Sequence, residues 1–240
     1  MYNNQYQGQD RYGFTPLDGG RSLVNTVSST MKRVYFKMTL ALIVTALTAL
    51  GCANNGFLEF MYANSWMMWV LIIAEFGLVF GISAGINKMS STIATALFYL
   101  FAVVNGLMLS SIFVVYSPTA IVKTFFITAG TFGAMSVYGY FTSQDLSKIG
   151  SYLFMALIGL IIASLVNIFL HSSTLDWIVS IAGVLIFIGL TAWDTQQIKA
   201  MAQAAPQDSV GRLATLGALS LYLDFINLFL YLLRIFGNRD

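Results

Sequence analysis

A carboxylate stands in the middle of the last long apolar run of this chain. Residues 213–236 read L-A-T-L-G-A-L-S-L-Y-L-D-F-I-N-L-F-L-Y-L-L-R-I-F, with Asp224 near the centre and Asn227 one turn later. About 20 apolar residues suffice to cross a bilayer, so the run is long enough. A carboxylate at mid-membrane costs about 2.5–3.5 kcal/mol on insertion scales, which disfavours a lipid-facing position. The helix therefore belongs inside a bundle, with Asp224 turned toward protein or a water-filled interior. Arg234 and Arg239 near its end can reach the headgroups on their long stems. Residues 177–199 have the same peculiarity, apolar except for Asp194 in G-L-T-A-W-D-T-Q-Q-I-K. Two intramembrane carboxylates on neighbouring spans are the sharpest functional signal in the sequence.

The rest of the chain fits a membrane protein. Only 9% of its 240 residues are charged, against about 25% in an ordinary soluble domain. Seven apolar runs fall near residues 34–52, 66–86, 91–116, 121–142, 150–170, 177–199 and 213–236, and they leave no room for a separate soluble domain. The expected fold is all-α, a bundle of seven transmembrane helices. The expected division is a mobile polar tail over residues 1–21 and a transmembrane domain over 22–240. The tail lacks the apolar core and small-residue cleavage site of a signal peptide. Leu23, Val27, Met31 and Val34 recur at helical spacing, either as a short interfacial helix or as an extension of the first span. Gly77, Gly81 and Gly85, four residues apart, predict close helix packing on the second span.

Composition excludes several functions. The basic residues are scattered and not interleaved with aromatics, so nucleic acid is not an expected partner. The single Cys52 rules out an internal disulfide and a cysteine-rich metal site. The single His171 lies in a loop and makes no metal site by itself. No cofactor is expected.

Lys and Arg favour the cytoplasmic side of short loops. With the N-terminus inside, that side holds Arg11, Arg21, Lys32, Arg33, Lys37, Lys88, Lys148, Lys199 and Arg212, and the other holds Lys123, Arg234 and Arg239. Nine against three places the N-terminus in the cytoplasm and the C-terminus outside. The rival topology makes the last run re-entrant, which its length and apolarity oppose. In the favoured topology Asp194 and Asp224 both fall in the cytoplasmic half and can meet.

Two unit charges about 4 Å apart repel by roughly 4 kcal/mol at an effective dielectric of 20. A pair at that distance is expected to share a proton and titrate as one unit. Losing the proton leaves two repelling charges, which separate or bind a cation. Hard divalent cations prefer oxygen ligands, and Asn227, Asn105 or backbone carbonyls could add to the carboxylates. The pair is thus a candidate pH-controlled latch on a cation path, with Glu75 in the second span as a third intramembrane acid.

The segments A-L-S-L-Y-L-D-F-I-N-L-F-L-Y-L-L-R-I-F-G (218–237) and G-L-T-A-W-D-T-Q-Q-I-K (189–199) resemble the motifs of the Bax inhibitor-1 family, the transmembrane Bax inhibitor motif proteins, in its bacterial branch. The resemblance extends over essentially all seven spans. It implies a bundle with the last helix central, a pH-sensitive calcium leak, and residence in the bacterial inner membrane. The family's paired aspartates fall on Asp194 and Asp224, which also become the expected calcium ligands, and the acid of its second span falls on Glu75. Some relatives carry an arginine near the cytoplasmic end of span 2 that pairs with the aspartates. Here only Lys88 is available. The family also implies protein partners, a membrane protease among them.

Two other readings compete. An intramembrane aspartyl protease also places one Asp on each of two adjacent spans, but its second Asp follows Gly-x-Gly, whereas Leu221-Tyr222-Leu223 precedes Asp224 here. An interaction protein without transport of its own would need no ion path at all. No Ser, His or glycine-loop constellation supports another enzyme class.

Overall fold

A computed structural model describes the backbone of residues 16–206 and 208–237, and side chains from Asn25 onward within them. The tail expected over 1–21 falls, for residues 1–15, outside the described residues.

The described chain forms nine helices: α1 (Pro16–Asn54), α2 (Phe57–Ala63), α3 (Trp66–Gly85), α4 (Ser91–Leu109), α5 (Ile112–Val115), α6 (Pro118–Phe141), α7 (Ser147–Leu170), α8 (Ser173–Ala204) and α9 (Val210–Phe236). Seven stretches are long and apolar enough to cross a membrane, with α4 and α5 counted as one. Their boundaries have local causes. Ser90, Ser117 and Ser172 each accept a hydrogen bond from a backbone N–H of the first turn that follows, which satisfies an orphan donor at the helix start. Pro118 opens α6 where its missing N–H costs nothing. α7 ends at His171, in the left-handed region with φ 50°, and Asn167 Oδ1 accepts from Ser172 N across the turn. The lone histidine is therefore a helix terminus.

Two divisions of the chain differ from the sequence expectation. The third span divides at Ser110 and Ser111, whose hydroxyls donate back to Leu107 O and Met108 O and so compete with the helical ladder. Helix α1 is continuous into the first span, so the amphipathic stripe before that span is an extension of it. Val27, Met31 and Val34 are all buried, as their spacing requires, while the side chain of Leu23 lies outside the described residues.

Helix α9 is the axis. Of its apolar window 67% is buried, against 44% at most for any other span and 6% for α7. It packs against α8, α1, α6 and α4, while α3 reaches the bundle through α4 and α7 through α8. α9 runs from end to end. Its last turn packs Phe229 and Leu233 with Ile121 and Tyr116, and Arg234 pairs with Asp176 at the start of α8. α9 is unbroken over Val210–Phe236, with no hairpin of the kind a re-entrant run needs. The opposite end gathers the start of α4, the start of α9, the end of α8 and the α6–α7 turn, tied by Lys37, Gln196 and Lys199.

The expected close packing at Gly77 and Gly81 is absent. A Cβ at either would meet nothing within 4 Å, because α3 turns Leu71 and Ile82 inward instead. The close approaches are elsewhere. Gly139 of α6 lies against the backbone of Ala192, and a Cβ at Gly106 of α4 would come within 2.7 Å of Thr45 O.

Candidate functional site

The motif around Asp194 is a set of anchors for α8. Trp193 lies against Gly150 of α7. Gln196 accepts from Leu146 N at 2.9 Å and donates to Gln144 O at 2.7 Å, closing the α6–α7 turn. Lys199 donates to Tyr140 O at 2.6 Å, a cation on the last carbonyls of α6, where the helix dipole favours it. With three sides of α8 held, Asp194 faces α9.

On α9, Gly183–Tyr231 and Ile198–Gly217 contacts bracket the same antiparallel register, which brings Ser220 and Asp224 level with Asp194. Ser220 Oγ donates to Asp194 Oδ2. The carboxyl groups of Asp194 and Asp224 face each other closely enough to interact directly. Asp224 is 5% exposed, and its Oδ2 is buried with no donor reaching it among the described residues. Two carboxylates attract only with a proton between them. A cavity of ≈ 210 Å³ adjoins Asp194, lined further by Ser83, Gln197, Met201, Ser220 and Leu223. It extends along α8 and α9 toward the end that carries Lys37 and Lys199. From the pair toward the other end, Phe225 packs edge-on against Phe125 and Phe132, and Phe187 stacks on Tyr231.

The other residues expected around the pair are placed differently. Glu75 Oε1 accepts from Asn105 Nδ2 at 2.8 Å, and Asn105 Oδ1 accepts from the Tyr222 hydroxyl at 3.0 Å. Tyr222 Oη also lies 2.7 Å from Thr45 Oγ1. Tyr222 and Asp224 are two residues apart, so they point about 200° apart around the helix. Glu75 and Asn105 therefore serve a second polar cluster on the far face of α9 and do not support the carboxyl pair. Asn227 Nδ2 donates to Leu223 O of its own helix at 2.8 Å, which leaves its Oδ1 as an acceptor. Lys88 is exposed, and its ammonium has no partner among the described residues, so it does not replace a lock arginine. No group of three or more His, Cys, Asp or Glu stands together among them.

Sequence reasoning missed Ser220, Tyr222 and Lys37. Ser220 precedes Asp224 by four residues, a spacing that places both on one face. Lys37, half-buried, donates to Thr95 Oγ1 at 2.8 Å and Thr215 Oγ1 at 2.6 Å, joining α1, α4 and α9.

The model of a family described as inhibitor of apoptosis-promoting Bax1 matches residues 27–240. The chain belongs to the Bax inhibitor-1 family. Among its relatives, the inner membrane protein YbhL of Escherichia coli K12 is 51% identical over 213 residues, covering 87% of this chain and 91% of YbhL. A protein of Borreliella burgdorferi is 49% identical over 212 residues, with 87% and 91% covered. Protein RP147 of Rickettsia prowazekii is 44% identical over 210 residues, with 87% and 89% covered. The family assignment carries the membrane bundle with it. It leaves the roles of Asp194 and Asp224 to chemistry.

Proposed function

We propose that this Bax inhibitor-1 family protein is a pH-sensitive calcium leak pathway of the bacterial inner membrane, gated by Asp194 and Asp224. The observation that carries the reading is the contact between the two carboxyls at the head of a half-enclosed cavity. With one proton shared, α8 and α9 are held together and the ring-filled segment beyond stays closed. Without it, two charges face each other in a poorly solvated place, and either the helices part or a cation enters. Calcium takes 6–8 oxygens. Asp194, Asp224 and the Ser220 hydroxyl offer part of that shell, and solvent in the cavity the rest. So incomplete a cage suits a transported ion more than a resident one. On the bias of Lys and Arg, the end of the bundle bearing Lys37 and Lys199 would face the cytoplasm, and the N-terminus with it.

The test is calcium flux into proteoliposomes as a function of pH. The expected result is flux that varies with pH in the wild type and loses that variation in Asp194→Asn and Asp224→Asn proteins. Flux indifferent to pH, or equally pH-dependent in both variants, would remove the reading.

One observation favours a second reading, a membrane interaction protein that modulates another complex such as a protease. The Gly77–Gly81 face of α3 is exposed and open, and small residues admit a partner helix closely. An unbroken α9 at Asp224 gives no support to peptide hydrolysis.

A further inference from the structure

Helices α1 and α6 both flank α8, and between them lies a groove of ≈ 640 Å³. Met31 and Tyr35 of α1 and Phe132, Val137 and Phe141 of α6 make its walls apolar. It contains no carboxylate. Lys32 stands on its rim, exposed, with no ion-pair partner among the described residues. Ser136 lines it from within. That residue is 5% exposed, and its hydroxyl has no hydrogen-bond partner among the described residues. Thr128 and Thr131 on the same helix turn their hydroxyls back to Thr124 O and Ile127 O, so Ser136 stands apart as a free buried donor. One turn before it, Gly133 leaves the floor open, since a Cβ there would touch nothing within 4 Å. A second cation stands behind the wall: Lys199 Nζ lies 4.8 Å over the Tyr140 ring.

The groove is therefore apolar along its length, cationic at its mouth, and supplied with one unused donor between. It also opens at the end of the bundle where the basic residues collect. We infer that it binds one anionic phospholipid. An acyl chain lies over Gly133, the Ser136 hydroxyl donates to an ester carbonyl, and the phosphate sits against Lys32. Basic pockets between membrane helices select anionic headgroups by this charge complementarity. A hydroxyl donor serves the ester, which has acceptors only.

The experiment is native mass spectrometry of the full chain in mild detergent, incubated with phosphatidylglycerol or with phosphatidylcholine of the same chain length. The wild type is expected to retain one lipid, with about a fivefold preference for phosphatidylglycerol from the single lysine charge. Lys32→Gln should bring the two lipids to parity. Gly133→Leu should abolish retention of both, with thermal unfolding unchanged because the added side chain enters open space. Equal retention of the two lipids by the wild type would overturn the inference, as would an undiminished preference in Lys32→Gln. Lipid held by a folded Gly133→Leu protein would do the same, and a dimer dissolved by that substitution would assign the groove to a second copy instead. Lys32 is exposed, so its variant decides the matter even if the Gly133→Leu protein is unstable.

Discussion

Tyr222 is 0% exposed, and the rings of Phe98 and Phe101 meet it edge-on. Its hydroxyl is the joint between Thr45 on α1 and Asn105 on α4. Replacing Tyr222 by Phe keeps the ring packing and removes the joint, leaving the amide oxygen of Asn105 without its donor while Thr45 keeps its bond to Ala102 O. Such a loss costs about 1–3 kcal/mol. Tyr222→Phe is expected to lower the unfolding temperature in detergent while leaving the pH response of calcium flux intact, because it acts on the face of α9 away from Asp224. A lost pH response with stability unchanged would mean that the two faces are coupled. Outside the membrane, Asp145 accepts from Ser147 N at 2.9 Å, and that backbone donor holds its carboxyl below the usual carboxylate range. What it contributes to the α6–α7 turn is present above its unfolded-state pKa and is lost as pH falls through the lower, folded one. It stays charged at mildly acidic and neutral pH and is no source of a switch there. Asp194 and Asp224 were legible in the sequence because a charge in an apolar run has a known cost. Tyr222 was not, since a tyrosine in a membrane span reads as bulk until its hydroxyl has an address.

At the scale of the helix, spacing showed which residues share a face but not what the face meets. The glycines of α3 and Gly139 of α6 look alike in the sequence. In the bundle Gly77 and Gly81 are open, and Gly139 touches the backbone of Ala192, two residues before Asp194. The difference follows from α3 packing chiefly on α4, with Leu71 and Ile82 turned inward, so a Cβ at Gly77 or Gly81 meets nothing within 4 Å. Gly139→Val is expected to destabilise the protein by about 1–3 kcal/mol through overpacking. Gly81→Ala should instead stabilise slightly, by about 0.5–1 kcal/mol, because a mid-helix glycine gives way to alanine in open space. Thermal unfolding of the two variants in the same detergent checks both, and equal effects would contradict the packing described. Helix starts were placed three or more residues late, at 121, 150, 177 and 213 against Pro118, Ser147, Ser173 and Val210, because the polar first turn that a serine caps carries no hydropathy signal. The break at Ser110 escaped notice because Ser-Ser in an apolar run looks continuous until both hydroxyls are seen to bond backward.

For the whole molecule, the cost of a lipid-facing Asp224 asked only that α9 sit inside a bundle, and its place at the centre was what the family resemblance implied. The separation of Glu75 and Asn105 from the carboxyl pair needed coordinates, since it depends on which side of α9 each neighbour occupies. Orientation in the membrane rests on charge: Lys32, Arg33, Lys88, Lys148 and Lys199 share the end with the α6–α7 turn, and Lys123 and Arg234 share the other. In a Cys52→Ser background, Ser143→Cys in intact cells should resist an impermeant thiol reagent, and Thr174→Cys should react with it. The reverse pattern would invert the bundle. The most direct measurement is proton release when calcium is added to the detergent-solubilised protein in weakly buffered solution, since a cation that takes the place of a shared proton must expel it. Up to one proton per chain is expected from the wild type and none from Asp224→Asn. Calcium binding without proton release, or release undiminished in that variant, would contradict a gate built from Asp194 and Asp224.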